Sequence, residues 1–249
     1  MILPRSLRSA SLATLSLLVP TLVVLTLVVL TATLLLAVLP AQAVASTVRG
    51  QSLDRTLTRL APNADPAVLR LAAHALACAS ANARRLAVID YSRPSTARRL
   101  WVFDLARPRL LFEELVSHGR GSGDIQARAF SNQPESYQSS LGLFRTLDSY
   151  QGHNGYSLRL EGLEPGINDR AYQRAIVIHG ADYVSESFIE RTGRLGRSQG
   201  CPAVRKEVTR PLIDSIKGDQ YLFAYYPDQK WLANSPLLSC QGSPRLALR

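Results

Sequence analysis

The chain has 249 residues, 46% of them hydrophobic and 19% charged, which excludes a disordered polymer and leaves room for one sizeable domain or two small ones. Its net charge of +10 is diffuse and carried almost wholly by arginine, the only lysines being Lys206, Lys217 and Lys230. Such basicity suits an anionic partner, yet no aromatic-rich ribonucleoprotein strand, zinc-finger spacing or helix-turn-helix accompanies it, so nucleic acid is not an expected partner.

In chain order, Arg5 and Arg8 precede a run, Leu12 to Leu39, made only of apolar residues and small neutral Ser, Thr and Pro. Pro40-Ala41-Gln42-Ala43 follows, the small-x-small pattern at which a leader is cut. Residues 1–43 therefore read as a signal peptide, or as a membrane anchor, since the run is long enough to span a bilayer. Either reading places the rest outside the cytoplasm, in the periplasm or cell envelope, with membrane contact only through an uncleaved leader. Residues 44–65 read as a linker with one short helix (Leu53, Leu57, Leu60), and 66–249 as the functional domain. Asp65-Pro66 has the form of an N-cap and first helical residue, and the Ala- and Leu-rich stretch to about Arg85 reads as a helix.

Beyond residue 85 the pattern becomes β-like. Leu86–Tyr91, Leu100–Leu105, Leu110–Ser117, Ser139–Thr146, Tyr156–Leu160, Ala175–Ile178 and Tyr221–Tyr226 are expected strands, with a short helix over Val208–Ile216 beginning near Pro211. Short strands separated by turns predict a mainly β fold, a sandwich or barrel with the N-terminal helix packed against it.

The chemistry concentrates in Ile178-His179-Gly180-Ala181 and in the loop Gly193-Arg194-Leu195-Gly196-Arg197-Ser198-Gln199-Gly200-Cys201-Pro202. A free thiol is only a few per cent ionised at neutral pH, and an imidazole within reach can take its proton. A glycine before the cysteine permits a sharp turn, and the N–H groups of Gln199, Gly200 and Cys201 become candidates for an oxyanion site, each such donor being worth about 3 kcal/mol. Taken singly, a cysteine behind a glycine is more often a small buried hydrophobe, and a histidine at a strand end is more often structural. The chain carries three cysteines, Cys78, Cys201 and Cys240, an odd count that in an oxidising compartment points to one pair and one free thiol. A Cys78–Cys240 pair would tie the leading helix to the C-terminal segment and leave Cys201 free. The residues leave that pairing open.

The segment Arg174–Val204 resembles the catalytic segment of the murein L,D-transpeptidase (YkuD-like) family, in the branch whose loop reads Gly-Arg-Ser-x-Gly-Cys-Pro. Val88–Asp104, Val116–Gly123, Phe130-Ser131-Asn132, Ser139–Thr146 and Tyr156–Asp169 are similar to that branch as well, so the resemblance covers about residues 70–240. It implies an L,D-transpeptidase-like fold and cysteine-dependent acyl transfer on peptidoglycan stem peptides. Cys201 would form the thioester, His179 would act as general base, and Ser198, Gln199 and Gly200 would shape the nucleophile loop. Two positions depart from the family pattern. Gln199 stands where many members have histidine, and Pro202 and Ala203 stand where many have Arg or Asn, which bears on acceptor choice.

His118, in the glycine-rich stretch His118–Gly123, acquires a substrate-side role from the resemblance. Ser131 and Asn132 would shape the same cleft or form a plain turn. Arg197 would meet a substrate carboxylate or stand as a surface arginine, and Gly180 is grouped with these substrate-side residues. His153 reads as solvated and His74 as structural. No cofactor is implied, and no arrangement of His and Cys has zinc spacing. The expected partners are stem peptides and, as acyl acceptor, a second stem, an envelope protein or water, for a monomeric protein. Two other classes compete: a non-catalytic peptidoglycan-binding or envelope-anchoring module, and an unrelated secreted cysteine peptidase.

Overall fold

The structure is a computed structural model and describes residues 53–79 and 81–240; the leader expected over 1–43 lies outside them. No helix among the described residues is long and apolar enough to cross a membrane. Residues 53–60 are helical (α1), and Leu57 and Ala61 are wholly buried in the main core, so the short helix expected in the linker packs as part of the domain. Helix α2 (Pro66–Cys78) is capped by Asp65, whose carboxylate accepts from the Ala67 N–H at 2.7 Å, with Pro66 at the first position. It ends at Cys78, short of the expected Arg85, and Arg85 already opens the first strand. A disulfide joins Cys78 to Cys240, their Cα atoms 6.1 Å apart, and anchors the C-terminal segment to the end of α2. His74 Nε2 lies 3.2 Å from Cys78 Sγ and 3.8 Å from Cys240 Sγ. The fold thus gathers three potential metal ligands that the spacing did not reveal, with both sulfurs committed to each other.

Eight strands form one sheet: β1 (Arg85–Asp90), β2 (Leu100–Asp104), β3 (Arg109–Glu114), β4 (Gly142–Gly152), β5 (Gly155–Gly162), β6 (Val177–Gly180), β7 (Ala203–Val204) and β8 (Tyr221–Tyr225), in the order β3-β2-β1-β8-β4-β5-β6-β7. The pairs β1–β8 and β6–β7 are parallel and the rest antiparallel. Strand β2 is buried at every residue and β1 at all but its first, so both sheet faces are covered there. Helix α2 packs on β1, β4 and β8, while α4 (Lys206–Ile216) packs on β1, β5 and β6 through Leu212, Ile213 and Ile216.

The two edges of the sheet approach one another. Ser117, just beyond β3, donates its N–H to the Ala203 carbonyl of β7 at 2.8 Å, and Arg205 forks onto Glu114 at 2.8 and 2.9 Å. These contacts bring the sheet close to a closed barrel, which leaves little unpaired edge. The mainly β architecture with an N-terminal helix packed against it is therefore the one present.

Several local expectations shift for identifiable reasons. The strand placed at Ser139–Thr146 starts only at Gly142 and runs to Gly152, with a register break between Thr146 and Ser149 that hides its alternation. Ala175 sits at φ 52°, outside extended space, so β6 begins at Val177 and not at Ala175. Helix α4 begins at Lys206 with Pro211 inside it, forgoing the bond to the Glu207 carbonyl. Helices α3 (Glu186–Thr192) and α5 (Gln229–Asn234), capped by Ser185 and Asp228, were not read from the pattern. Trp231 of α5 donates its indole N–H to the wholly buried Glu164 at 3.1 Å, and Glu164 also accepts from the Leu143 N–H at 2.7 Å.

Candidate active site

Parallel pairing of β6 with β7 fixes the geometry: His179 stands opposite Ala203, two residues after Cys201. Both His179 and Cys201 line a cleft of about 700 Å³. Its walls come from the 134–137 segment, the β4–β5 hairpin tip with His153 and Asn154, the 173–175 segment, Tyr183 and the 197–201 loop.

The loop before Cys201 is braced from both sides. Ser198 accepts the Gly200 N–H at 3.1 Å and donates its hydroxyl to the Cys201 carbonyl at 2.6 Å. Beneath it, Ser139 donates to the Gly200 carbonyl and accepts the Gly119 N–H, both at 3.0 Å. Gly200 has φ 125°, and a β-carbon there would stand 2.9 Å from the Gln138 carbonyl oxygen, so both conformation and space call for glycine. Since the Gly200 N–H is spent on Ser198, the expected trio of oxyanion donors reduces to two. The N–H groups of Gln199 and Cys201 make no hydrogen bond to the protein among the described residues.

Cys201 is the free cysteine and is half-buried. Its sulfur lies 3.6 Å from the Ala175 carbonyl, to which the thiol donates, and 3.4 Å from the Val177 N–H. Burial pushes the thiol pKa up, outweighing the Val177 N–H and the nearby Arg174 charge, which pull it down. His179 is buried, and burial holds its imidazole below the usual histidine range. Its Nδ1 lies 3.1 Å from the Gly180 carbonyl. A carbonyl only accepts, so Nδ1 carries the hydrogen and Nε2 keeps the lone pair a base requires. No hydrogen bond joins the imidazole to the thiol among the described residues. At neutral pH the two groups are thus an uncharged thiol and an uncharged imidazole in one cleft.

The remaining sequence candidates are distributed more widely. His118 is wholly buried and does not line the cleft. Its Nδ1 accepts from Arg99 at 2.8 Å, and burial first, then the Arg99 charge, lower its pKa to about 4. Its backbone carbonyl takes the Ser198 N–H at 3.0 Å, so it supports the Cys201 loop from behind. Ser131 and Asn132 line a different pocket, of about 310 Å³, with Trp231 and Lys230. The Asn132 amide is occupied by Asp169 at 2.7 Å and the Arg170 N–H at 3.0 Å. Gly180 packs against α4, where a β-carbon would fall 2.3 Å from Thr209 Oγ1. Arg197 lines the cleft but pairs with Asp124 at 3.4 Å and the Gly123 carbonyl at 3.0 Å.

The cleft also contains residues that the sequence reading passed over. Glu135, Tyr137 and Ala175 hold φ between 52° and 57°, and all three line it, a concentration of backbone strain of the kind found at functional sites. Tyr183 lines the cleft together with Cys201, and burial raises its pKa to about 12. Arg174 enters from the chain just before the strained Ala175. None of these stands out by residue type; Arg174, Ala175 and Tyr183 lie inside the segment that resembles the family, which does not by itself single out any of them.

A family model described as the L,D-transpeptidase catalytic domain matches residues 60–225. Among solved structures, the chain is similar to an L,D-transpeptidase from Mycobacterium smegmatis, at 12% identity over 58% of this chain and 59% of that one, with a TM-score of 0.37. It is also similar to one from Stackebrandtia nassauensis, at 14% identity over 73% and 79% of the two chains and a TM-score of 0.37. A third, residues 123–326 of an L,D-transpeptidase from Xylanimonas cellulosilytica, is 16% identical over 61% and 69%, with a TM-score of 0.34. The chain spans about three fifths of the length of the Mycobacterium smegmatis protein. No curated protein matches it.

Proposed function

The chain belongs to the L,D-transpeptidase catalytic-domain family, and from that premise we propose that it carries out cysteine-dependent acyl transfer on peptidoglycan stem peptides, in the remodelling of the cell wall outside the cytoplasm. The observation that carries this reading is the placement of the one free cysteine, Cys201, on a doubly braced loop in the same cleft as a neutral imidazole whose Nε2 is available.

In the proposed reaction Cys201 Sγ attacks the carbonyl of the third stem residue while His179 Nε2 takes the thiol proton. The N–H groups of Gln199 and Cys201 face the oxyanion as it develops. His179 then returns the proton to the leaving amine, D-alanine departs, and a thioester remains on Cys201. A second stem amine, an amine of an envelope protein, or water resolves it, giving a cross-link, a protein–wall attachment or a shortened stem. Since the resting pair is uncharged, no ion pair has to be dissolved before attack. In the reacting complex the imidazole and the thiol must come within hydrogen-bond reach.

The test is to incubate the full chain, as wild type and as Cys201→Ala, with disaccharide-tetrapeptide muropeptides and with intact sacculi, and to weigh protein and products by mass spectrometry. Wild type alone should acquire an acyl adduct with release of D-alanine, and the product masses identify the acceptor. Neither adduct nor product from either donor would leave the chain a binding module.

A further inference from the structure

Arg174 is held by neutral groups alone. Its Nη1 donates to the Ser131 carbonyl at 2.5 Å and the Ser140 hydroxyl at 2.6 Å, and its Nη2 to the Gln138 carbonyl at 2.7 Å and the Ser136 hydroxyl at 3.2 Å. Each terminal nitrogen of a guanidinium carries two hydrogens, so all four are spent, and none on a carboxylate. No acidic side chain pairs with Arg174 among the described residues. This half-buried guanidinium lines the same cleft as Cys201, with Nη2 3.6 Å from where a β-carbon on Gly200 would sit. The chain that follows it turns through the left-handed Ala175 and wraps the sulfur, presenting the Ala175 carbonyl to the thiol and the Val177 N–H to the thiolate.

A fixed, uncompensated positive charge beside a single ionisable sulfur favours an anion at that sulfur. We infer that Arg174 is the electrostatic positioning residue of the site: its guanidinium supports the negative charge that Cys201 Sγ carries when its proton leaves and when the thioester is cleaved. A bidentate pair with a substrate carboxylate is closed to it, because either form of that pair needs terminal hydrogens that are already engaged. The direction of the mutual effect agrees, since Arg174 pulls the Cys201 thiol down against the larger upward push of burial, and Cys201 in turn raises Arg174. The inference deepens the reading of Cys201 as nucleophile and rests on it.

The experiment is alkylation of the full chain by iodoacetamide between pH 7 and 10, with Cys201→Ala as background. The thiolate displaces iodide from the methylene carbon, forming C–S as C–I breaks and the thiol proton passes to solvent. Neither donor nor acceptor is needed, so a chain inactive on muropeptides still gives this readout. Arg174→Gln should slow alkylation at pH 8 about tenfold and displace the rate–pH profile upward by about one unit, and Arg174→Lys should recover most of the loss. Should the Gln variant not fold, Ser136 supplies a second pair, since Ser136→Asp places a carboxylate against the guanidinium and Ser136→Asn does not. Asp should be slower than Asn by about threefold or more. An Arg174→Gln profile that superimposes on wild type, a Lys variant no better than Gln, or an Asp variant no slower than Asn would overturn the inference.

Discussion

The Ser198 hydroxyl donates to the Cys201 carbonyl at 2.6 Å while accepting the Gly200 N–H at 3.1 Å. One small side chain thus fixes the residue before the sulfur and the residue bearing it. Ser198→Ala leaves a buried N–H and a carbonyl without that partner, at a cost of about 1–2 kcal/mol. The expected outcome is a melting temperature lower by a few degrees and a kcat reduced about tenfold or more through lost orientation, with KM changed far less. Steady-state kinetics on a muropeptide donor and a thermal melt check both. A variant that loses stability but keeps kcat would show that the clamp serves the fold alone.

His179 predicts the acid limb of the activity profile. Burial lowers its pKa, so the neutral base persists below the ordinary histidine value of 6.5 and is lost only as pH falls through the lowered folded value. Cys201, raised by burial, stays protonated at neutral pH and adds no ionisation there. The acid limb of kcat/KM should therefore have its midpoint below pH 6.5, and His179→Gln should remove the limb along with most of the rate. A midpoint at or above pH 7 would mean that the resting imidazole is charged, against the neutral pair described above.

What could be read from the sequence follows the range of the interactions. Asp65-Pro66 capped α2 as expected, and β1, β2 and β8 fall within a residue or two of their apolar runs, because caps and apolar runs are local signals. The Gly-rich loop ending at Cys201 and the strand end carrying His179 are local signals of the same kind. Arg174 is not one, since its meaning lies in oxygens 34 to 43 residues away. The resemblance gives His118 a substrate-side role, and Asn132 reads as shaping the cleft or forming a plain turn; the fold turns the His118 ring inward onto Arg99 and ties Asn132 to Asp169. Ala175 defeated the strand boundary because its backbone is left-handed, a conformation of which alanine gives no sign in the sequence.

His118 makes the fold acid-sensitive. Its folded pKa is about 4 against 6.5 for the free side chain. The unfolded chain therefore takes up a proton between those values while the folded chain does not. Stability from this group is whole above pH 6.5 and falls as pH drops towards 4, by about 3 kcal/mol. His118→Gln keeps an acceptor for Arg99 and removes the titration. Urea unfolding at pH 7 and at pH 4.5 should show wild type losing markedly more stability than the variant. Equal losses in the two proteins would place the acid sensitivity elsewhere.

The disulfide separates stability from catalysis. Cys78 and Cys240 are 162 residues apart in sequence, so their link closes most of the domain into one loop and restricts the unfolded chain. Chain entropy sets a ceiling of about 5 kcal/mol for such a loop, and removal of native disulfides costs about 2–5 kcal/mol. The double variant Cys78→Ala, Cys240→Ala should unfold at lower urea by an amount in that range. Its Cys201 thiol, in a cleft that the disulfide does not line, should be alkylated at the wild-type rate below the transition. Without reductant, unfolded wild type should take up one alkyl group, and after reduction three, as counted by mass spectrometry. Three groups without reductant would mean that the pair is open in the purified protein, and the stability difference between it and the double variant should then vanish as well.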